Sequence, residues 1–534
     1  MNTSILIKDG TIIDGSGSPA FHGDIRCRDG KIVEISAGLR PLDEMVIQAK
    51  GLVVAPGFID AHCHTDMYAA YCPNARGKIM QGVTTDICGL CGDSPAPVGS
   101  GNLKAFQENR EYQLPDFPSL DVCSFSDYKS HLNSLGNATN MALFVGNSNL
   151  RIHAVGYENR PPHYSELNEM KGLLRESMEA GAYGLSTGLT YAPSMFASTN
   201  ELLELSRVIA PFNGMFNAHM RSEGHHVLQA IEEVIHITEH SGCRGHISHL
   251  KVSGIANHGR AQECLELIHR ANERGIPITF DVHPYTAGSF GLKTLLPPDV
   301  LAIGIKEGYD KLNNPVTFDV LCKRLKDNDW DNTILNCGPE NIIISALPDG
   351  PHEYEGKTLL EISSLLRMDI PEALIWLLAS SGGQGSIVFF AISEDDLVQF
   401  ISDPFCTIGT DSFARDYEGP TAAGKPHPRN YGAFPRYIRR FILQKKLFSL
   451  ESGIRKMTGL TAKHFQIPNR GLLKPGYEAD ITIFDASEID ECGTFADPVK
   501  YPKGIRYVII SGKVVAINQE FLGIRAGRII SRSF

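Results

Sequence analysis

The middle of the chain alternates between short apolar runs and amphipathic stretches, and this alternation constrains the fold more than any other feature. The run "MALFVGNSN" precedes "SELNEMKGLLRESMEAG", "MFNAHM" precedes "HVLQAIEEVIHITEHSG", and "RGHISHLKV" precedes "RAQECLELIHRANERG". Short apolar runs predict buried strands, and apolar residues at helical spacing predict amphipathic helices. Repeated strand–helix units favour a parallel sheet closed into a barrel. We therefore predict an α/β fold whose barrel occupies residues 57–469.

Both ends of the chain predict strands and turns rather than helices. The N-terminal stretch "SILIKDGTIIDG" and the C-terminal stretch "IRYVIISGKVVAIN" are rich in β-branched residues. The steps Asp9–Gly10 and Asp29–Gly30 are hairpin signals. Each end alone has too few strands for a stable core. Residues 1–56 and 470–534 are therefore predicted to form one β domain together. A Pro-rich stretch at about 292–366 breaks the central rhythm and is predicted to be a small insertion over one end of the barrel.

Charge and composition exclude several function classes. The formal net charge is -11 and no block of Lys and Arg is present, so nucleic-acid binding is not expected. No run of about 18 apolar residues occurs, which argues against a membrane span. The start "MNTSILIKDG" lacks the pattern of a signal peptide. The 12 cysteines are scattered, as in reduced intracellular proteins, so we expect a cytoplasmic enzyme. Assembly into a homo-oligomer is left open.

Metal-binding side chains follow several of the predicted strands. The stretch "PGFIDAHCHTD" holds His62 and His64, and alternate residues of a strand share one face. This pair alone is weak evidence for a metal. Further candidates end the runs "VTTDIC…C", "MFNAH", "RGHISH" and "FCTIGTD", and barrel enzymes place their chemistry at such strand ends. The whole set combines nitrogen, sulfur and carboxylate ligands that suit zinc: His62, His64, Cys91, His219, His249 and Asp411.

Longer motifs resemble the amidohydrolase superfamily and, within it, the D-aminoacylase (N-acyl-D-amino-acid deacylase) family. They include "GFIDAHCHTD", "GVTTDICGLCG", "GAYGLSTGLTYAP", "NAHMRSEG", "ISHLKVSG", "DVHPYTAGS" and "KPHPRNYGAFPR", and they run through most of the chain. The resemblance implies a (β/α)8 TIM-like barrel that depends on zinc, with a β-sandwich domain formed by both termini. It also implies that the substrate is a small molecule, an N-acyl-D-amino acid whose amide bond is hydrolysed.

The resemblance also implies different roles for Cys88 and Cys91, which form a CxxC motif. In this family a cysteine in a motif like "GLCG" bridges two metal positions, so Cys91 is expected to be a ligand and Cys88 a small buried residue. Leu90 stands where Asn is often found. The tight zinc site implied by the family consists of Cys91, His219 and His249. A second, weaker site, which can be empty, is bordered by His62, His64 and Asp411.

Roles in the reaction follow from the same resemblance. Asp411 is the expected proton shuttle between the attacking water and the leaving amine. The α-carboxylate of the substrate needs cations and hydroxyl donors, and the residues implied are Lys251, Tyr285, Ser289, Tyr191 and Arg429. Glu223 and Arg221 are expected to brace the site. His246 lies inside a predicted strand, and we do not expect it to be a ligand.

Two rival functions remain at this stage. A cyclic-amide hydrolase such as a dihydropyrimidinase or hydantoinase would have the same fold but would carry a bridging carboxylated lysine. A non-catalytic scaffold would have lost metal ligands, whereas this chain has the full set. The preferred side chain and acyl group cannot be inferred from the sequence. The Gly- and Pro-rich segment Ser412 to Arg429 is expected to form a wall of the pocket.

Overall fold

Eight strand segments of the central region run parallel to one another in the computed structural model, which describes residues 4–98, 124–301, 315–327 and 330–532. They form two parallel sheets, with the orders β6-β8-β9 and β10-β11-β12-β13-β14-β18. Their bounds are β6 (Phe58–Asp60), β8 (Val83–Cys88), β9 (Asn140–Leu143) with its continuation β10 (Val145–Gly146), β11 (Gly184–Gly188), β12 (Met215–His219), β13 (Arg244–Ile247), β14 (Ile278–Val282) and β18 (Cys406–Ile408). The nitrogen of Ala61 donates to the carbonyl of Ile408 at 3.2 Å, so the first and last of these segments are also neighbours.

Amphipathic helices connect the strands, as the apolar spacing predicts. Their buried residues recur at helical spacing; in the helix Tyr164–Glu179 they include Met170, Leu174 and Met178. Ser198 caps the helix Thr199–Ile209 by accepting a hydrogen bond from Glu201 N. The described helices that follow central strands are Thr65–Tyr68, Arg76–Ile79, Phe125–Leu135, Asn147–Ala154, Tyr164–Glu179, Thr199–Ile209, Val227–Ser241, Ala261–Glu273, Glu394–Ser402, Arg429–Arg436, Leu450–Lys456 and Gly459–Phe465. Among the described residues, none of the helices is long and apolar enough to span a membrane.

Both termini contribute to one nine-stranded sheet with the order β23-β22-β21-β20-β5-β1-β2-β3, and β4 also pairs with β1. The antiparallel pair β5–β20 joins the two ends of the chain. A shared apolar core contains residues from both ends, among them Ile7, Ile25, Ile481 and Ile509. The bounds are β1 (Ile5–Ile12), β2 (Phe21–Arg28), β3 (Lys31–Ser36), β4 (Met45–Gln48), β5 (Val53–Pro56), β20 (Ile481–Phe484), β21 (Ile505–Ile510), β22 (Lys513–Ile517) and β23 (Glu520–Phe521).

One of the two predicted hairpins is wrong. Asp29 and Gly30 do form the turn between β2 and β3, with φ of 51° and 79°. Asp9–Gly10, however, lies inside β1, where the register with β2 shifts between Ile7 and Gly10. The backbone nitrogen of Asp9 donates to the buried carboxylate of Asp24 at 2.8 Å. That tertiary contact holds Asp9 at a φ of 58° and makes a β-bulge there instead of a turn.

A smaller antiparallel sheet interrupts the central region, where the sequence rhythm breaks. Its order is β15 (Gly288–Gly291), β17 (Ser386–Phe389) and β16 (Ile342–Ala346). It has its own apolar cluster, which extends from Leu292 to Ala391. The described helices of this part are Pro298–Leu301, Pro315–Arg324, Thr333–Cys337, Leu359–Leu366 and Ile370–Ser380. Part of the stretch predicted as an insertion, residues 302–314 and 328–329, lies outside the described residues.

A fully buried ion pair links the first and last of the eight parallel segments. The ammonium of Lys78 donates to Asp60 Oδ2 at 2.6 Å and to Thr410 Oγ1 at 2.7 Å, and Asp86 Oδ1 lies 3.9 Å away. Thr410 N also donates to Asp60 Oδ1 at 2.8 Å. Burial opposes the charged form of Lys78, but the attraction of Asp60 and Asp86 outweighs it and raises the pKa of the ammonium. Asp60 ends β6, and Thr410 comes directly before Asp411.

Replacing Lys78 by Met should lower the free energy of unfolding by about 3–5 kcal/mol, because it leaves buried carboxylates without their cation. Chemical denaturation measures this loss. The double substitution K78M/D60N is the matched control, and it should recover part of the stability because one of the two carboxylates is neutralised. A K78M variant as stable as the wild type would contradict a structural role for the pair.

Candidate active site

Six predicted ligands converge at the carboxyl ends of the parallel strands. His219 is the last residue of β12, His249 follows β13, and Cys91 follows β8. His62 follows β6, and His64 belongs to the two-residue strand β7 (Cys63–His64), which pairs in parallel with β19 (Ser412–Phe413) just after Asp411. All six side chains are buried. The prediction that strand ends bring these residues together therefore agrees with the structure.

Cys91 lies at the centre of this group. Its Sγ is 3.3 Å from His62 Nε2, 3.3 Å from His249 Nε2 and 3.6 Å from His219 Nδ1. Zinc binds sulfur at about 2.3 Å and nitrogen at about 2.0–2.1 Å in a tetrahedron, which separates the two ligand atoms by about 3.5 Å. Each sulfur–nitrogen spacing therefore fits a zinc ion between the two atoms. The ligand atoms of His62, Cys91, His249 and Asp411 all lie close enough together to hold an ion, as do those of His219, Glu223 and His249.

Asp411 lies beside the two N-terminal histidines. Its Oδ1 is 3.4 Å from His64 Nε2 and 3.7 Å from His62 Nε2, and its Oδ2 is 2.8 Å from Arg429 Nη1. Burial raises the pKa of the Asp411 carboxyl, but Arg429 and the neighbouring histidines outweigh burial and hold this pKa well below its usual value. Asp411 is therefore an anion on the second side of the cluster.

Protonation distinguishes the histidines. Burial lowers the pKa of His64 to about 4 and is also the main cause that lowers the pKa of His219 and of His249. These three imidazoles are neutral, which is the form that binds metals. For His62, burial opposes the charged form, but Asp281 outweighs it and raises the pKa. His62 therefore keeps its proton to a higher pH than these three imidazoles do.

Three of the predicted ligands have strained backbones. Cys91, His249 and Asp411 have φ of 52°, 35° and 51°, in the left-handed region that non-glycine residues rarely adopt. Such residues cost about 1–3 kcal/mol each and persist only where the surroundings impose them. Asp411 N, for example, donates to the carbonyl of His62 at 2.8 Å. Strain concentrated at three converging side chains indicates a functional site.

Neighbouring side chains contact the other ring nitrogens of His219 and His249, the two histidines predicted for the tight site, and hold the orientation of their rings. Glu223 Oε1 lies 3.0 Å from His249 Nδ1 and 2.5 Å from Lys251 Nζ. His219 Nε2 forms a hydrogen bond of 2.9 Å with Thr190 Oγ1. Such partners orient imidazoles and raise their strength as ligands. Glu223 therefore braces the site as predicted, whereas Arg221 forms its ion pair with Glu233, on the helix Val227–Ser241.

Asp281 plays the same part for His62, and the sequence analysis missed it. Its Oδ1 accepts a hydrogen bond from His246 Nε2 at 3.1 Å and lies 3.5 Å from His62 Nδ1. Burial opposes ionisation of Asp281, but His62 and His246 outweigh it and hold the pKa below its usual value. His246, which was not expected to be a ligand, orients Asp281 from inside β13. The signal was the pair of polar residues in "TFDVH" at the end of a buried strand.

The other cysteines of the motif face away from the ligands. The sulfur atoms of Cys63 and Cys88 lie 3.5 Å apart, and both side chains are fully buried. Burial raises the pKa of both thiols, which keeps them protonated and unreactive. Cys88 is therefore a packing residue that contacts Cys63 and is not the partner of Cys91.

Four of the five predicted substrate residues line a narrow pocket of about 50 Å³ beside the ligands; they are Lys251, Ser289, Tyr191 and Arg429. Phe413 also lines it and begins the predicted wall at 412–429. Tyr285 does not reach this lining, which corrects the prediction. Its buried hydroxyl donates to Glu491 Oε2 at 2.8 Å, and Arg436 stacks over its ring at 4.6 Å.

His283, two residues before Tyr285, was missed. Its ring is buried, and neither nitrogen has a hydrogen-bond partner among the described residues. Burial lowers its pKa, and Arg429, Asp411 and Lys251 are close enough to affect it. It directly follows β14, so the rule that identified the metal ligands would have identified His283 too.

Comparison with known proteins gives this site a family. Residues 45–342 and 410–516 match the model of the amidohydrolase family. The chain is 31% identical to N-acyl-D-aspartate deacylase of Alcaligenes xylosoxydans xylosoxydans, over 98% of this chain and 94% of that protein. It is 32% identical to D-aminoacylase of the same organism, over 99% and 98%.

A solved structure agrees over the whole chain. The N-acyl-D-glutamate deacylase of Bordetella bronchiseptica, complexed with zinc and a phosphonate that mimics the tetrahedral intermediate, superposes with a TM-score of 0.82 at 30% identity, and 99% of each chain is covered. With the cysteine-centred cluster already described, these matches show that the chain belongs to the amidohydrolase family and, within it, to the D-aminoacylase (N-acyl-D-amino-acid deacylase) family.

Proposed function

We propose that this protein is a zinc-dependent hydrolase of N-acyl-D-amino acids that releases a carboxylate and a D-amino acid. The observation that carries the proposal is the position of Cys91 Sγ, 3.3–3.6 Å from three imidazole nitrogens beside a pocket lined by cations. Family membership supports the reaction class. The central position of Cys91 speaks against a cyclic-amide hydrolase, because the bridging place belongs to a thiolate and not to a carboxylated lysine.

The residues present fit one tight zinc site and a second, weaker one. Cys91, His219 and His249 would hold the tight ion, since two of the three are imidazoles that burial keeps neutral. His62, His64 and Asp411 would border the second site, where the raised pKa of His62 opposes metal binding. When bound, zinc polarises the amide carbonyl and lowers the pKa of water from about 16 to about 7.

Asp411 moves the proton in the proposed mechanism. Its Oδ2 is held by Arg429, so Oδ1 is the oxygen left to accept a proton from the attacking water. The same oxygen then delivers the proton to the leaving nitrogen. Arg429 keeps the carboxylate anionic and restrains it, because its Nη1 lies 2.8 Å from Asp411 Oδ2 in a buried ion pair.

The pocket residues bind the α-carboxylate in this proposal. The ammonium of Lys251 and the guanidinium of Arg429 supply positive charge, and the hydroxyls of Ser289 and Tyr191 supply donors. His283 has two ring nitrogens without hydrogen-bond partners among the described residues, and it lies near Arg429 and Lys251 but does not line the pocket. When the carboxylate and the scissile carbonyl are both held in place, the side chain of only one enantiomer points toward open space.

The fine architecture is part of the proposal. The hydrogen bond from Ala61 to Ile408 supports a (β/α)8 barrel over 57–469, closed between β6 and β18. The shared core of the terminal sheet supports a β-sandwich of 1–56 and 470–534, since Ile32 N also donates to Tyr477 O across it. We assign the insertion to residues 288–391, which is wider than the stretch 292–366 that sequence rhythm indicates.

The preference between D- and L-substrates provides the first test of the proposed function. A panel of N-acetyl, N-formyl and N-succinyl D- and L-amino acids should give faster release of the D-amino acid. Chiral chromatography of the products measures this preference. Faster release of L-amino acids across the panel would refute the assignment, and a protein that neither binds zinc nor hydrolyses any substrate would favour a scaffold.

The two cysteines of the CxxC motif should respond differently. Cys91→Ala should abolish activity and lower the zinc content, because it removes the central thiolate. Cys88→Ala is the matched control, which should keep zinc and lose about 1–2 kcal/mol of stability from the buried cavity. Atomic absorption and thermal denaturation measure the two effects. Loss of zinc in Cys88→Ala alone would mean that the other sulfur is the ligand.

Asp411→Asn should keep the tight zinc but lose turnover by at least about 10²-fold, because an amide cannot accept the proton. The measurement is kcat per zinc-loaded, folded molecule, together with the acidic limb of the pH–rate profile. A variant that retains more than about a tenth of wild-type kcat by this measure would exclude Asp411 as the shuttle.

A further inference from the structure

A larger chamber of about 720 Å³ opens beside the narrow pocket. Tyr191, His219, Glu223, Phe290 and Phe389 line both spaces, so the two adjoin. The rings of Phe290 and Phe389 pack at 4.6 Å between centroids and form the junction. A volume of this size is typical of a ligand pocket. The predicted metal ligand His219 lines one side of the chamber, and residues of the inserted region line the other.

The chamber lies where the substrate side chain would extend. Ser289 and Lys251, the proposed partners of the α-carboxylate, directly adjoin residues that line it: Phe290 is the next residue along β15, and Glu223 contacts Lys251 Nζ at 2.5 Å. The side chain of an amino acid leaves the same carbon as its carboxylate, whereas the acyl group begins beyond the nitrogen. The group that reaches past Phe290 is therefore the D-amino-acid side chain.

The charge of the lining excludes one class of side chain. Four carboxylates line the chamber, against one guanidinium and no lysine among the described residues. The carboxylates are those of Glu223, Glu232, Glu233 and Asp331. Like charges placed together in a partly desolvated space repel each other strongly. Glu223 is paired with Lys251 and Glu233 with Arg221, and Glu232 and Asp331 leave the formal charge of the lining negative. An acidic side chain would therefore meet a negative chamber.

The single guanidinium is already occupied by protein groups. Arg221 Nε and Nη2 donate to Glu233 at 3.1 and 3.0 Å, and Nη1 and Nη2 donate to the carbonyls of Met195 and Ala197 at 3.0 and 2.9 Å. This bidentate pair with two carbonyl contacts uses four donor positions. Arg221 is therefore held away from a substrate carboxylate by Glu233.

The remaining lining is suited to uncharged groups. Phe290, Phe389, Leu296 and Trp330 contribute apolar surface to the chamber. Burying an apolar side chain against such surface is favourable by about 25 cal/mol per Å². Resting on the function proposed above, we propose that this chamber receives the D-amino-acid side chain and selects uncharged side chains, including large apolar ones, against acidic ones.

Matched pairs of substrates test the inference, because N-acetyl-D-Gln and N-acetyl-D-Glu share shape and differ in charge. The kcat/KM for the D-Gln substrate should exceed that for D-Glu by at least about tenfold at low salt, and the ratio should shrink as salt rises. The kcat/KM for N-acetyl-D-Leu should likewise exceed that for N-acetyl-D-Asp. A D-Glu substrate that equals or exceeds D-Gln overturns this inference and leaves the proposed function intact. An enzyme that hydrolyses none of the panel overturns the function, and this inference with it.

The ion pair of the chamber gives a second test. Glu233→Gln releases Arg221, so it should improve kcat/KM for N-acetyl-D-Glu relative to N-acetyl-D-Gln by about fivefold or more. Glu232→Gln is the control, since it removes the same charge from the next, exposed residue without releasing Arg221. Equal effects of the two substitutions on the substrate ratio would overturn the part assigned to the Arg221–Glu233 pair.

Discussion

The carboxylate of Asp60 organises both sides of the metal cluster. One oxygen accepts from the backbone nitrogen of Thr410 at 2.8 Å and lies 3.3 Å from that of His62, and the other accepts from the ammonium of Lys78 at 2.6 Å. Thr410 directly precedes Asp411, so a single side chain ties together the two backbone segments that carry His62 and Asp411. A buried carboxylate can do this only while a cation neutralises it. Lys78 therefore supports the site without touching any metal ligand.

The site concentrates groups that oppose folding. Free energy is lost at the left-handed backbone of Cys91, His249 and Asp411. Burial of the carboxylates and imidazoles adds a desolvation cost. Their cost is offset by an apolar cluster that surrounds the strands and spans the central region. Bound zinc would return part of that cost, because metal binding to a folded site is coupled to folding. The arrangement accordingly indicates a protein whose stability increases with metal occupancy.

The sequence predicts position along a strand better than it predicts side-chain partners. The strand-end rule placed all six predicted ligands together because it depends only on the order of strand and loop, which apolar runs reveal. Tyr285 was misplaced because its direction depends on Glu491, which is distant in sequence and belongs to the C-terminal segment. Asp9–Gly10 failed as a hairpin for a similar reason, the contact with Asp24. Asp281 and His283 were missed although both obey the strand-end rule.

Chemistry and selectivity come from different parts of the molecule. The proposed ligands and the proton shuttle lie on strand ends that the parallel sheets hold rigidly, whereas Phe290, Leu296 and Trp330 of the chamber belong to the inserted sheet and its loops. A change in the insertion can therefore alter which side chain fits while the metal geometry stays intact. A change outside the insertion can alter the selectivity too, because Arg221 and Glu233 belong to the central region. Arg221 already faces the chamber, and its guanidinium is paired with Glu233. Without that ion pair, the guanidinium would be available to bind an acidic side chain.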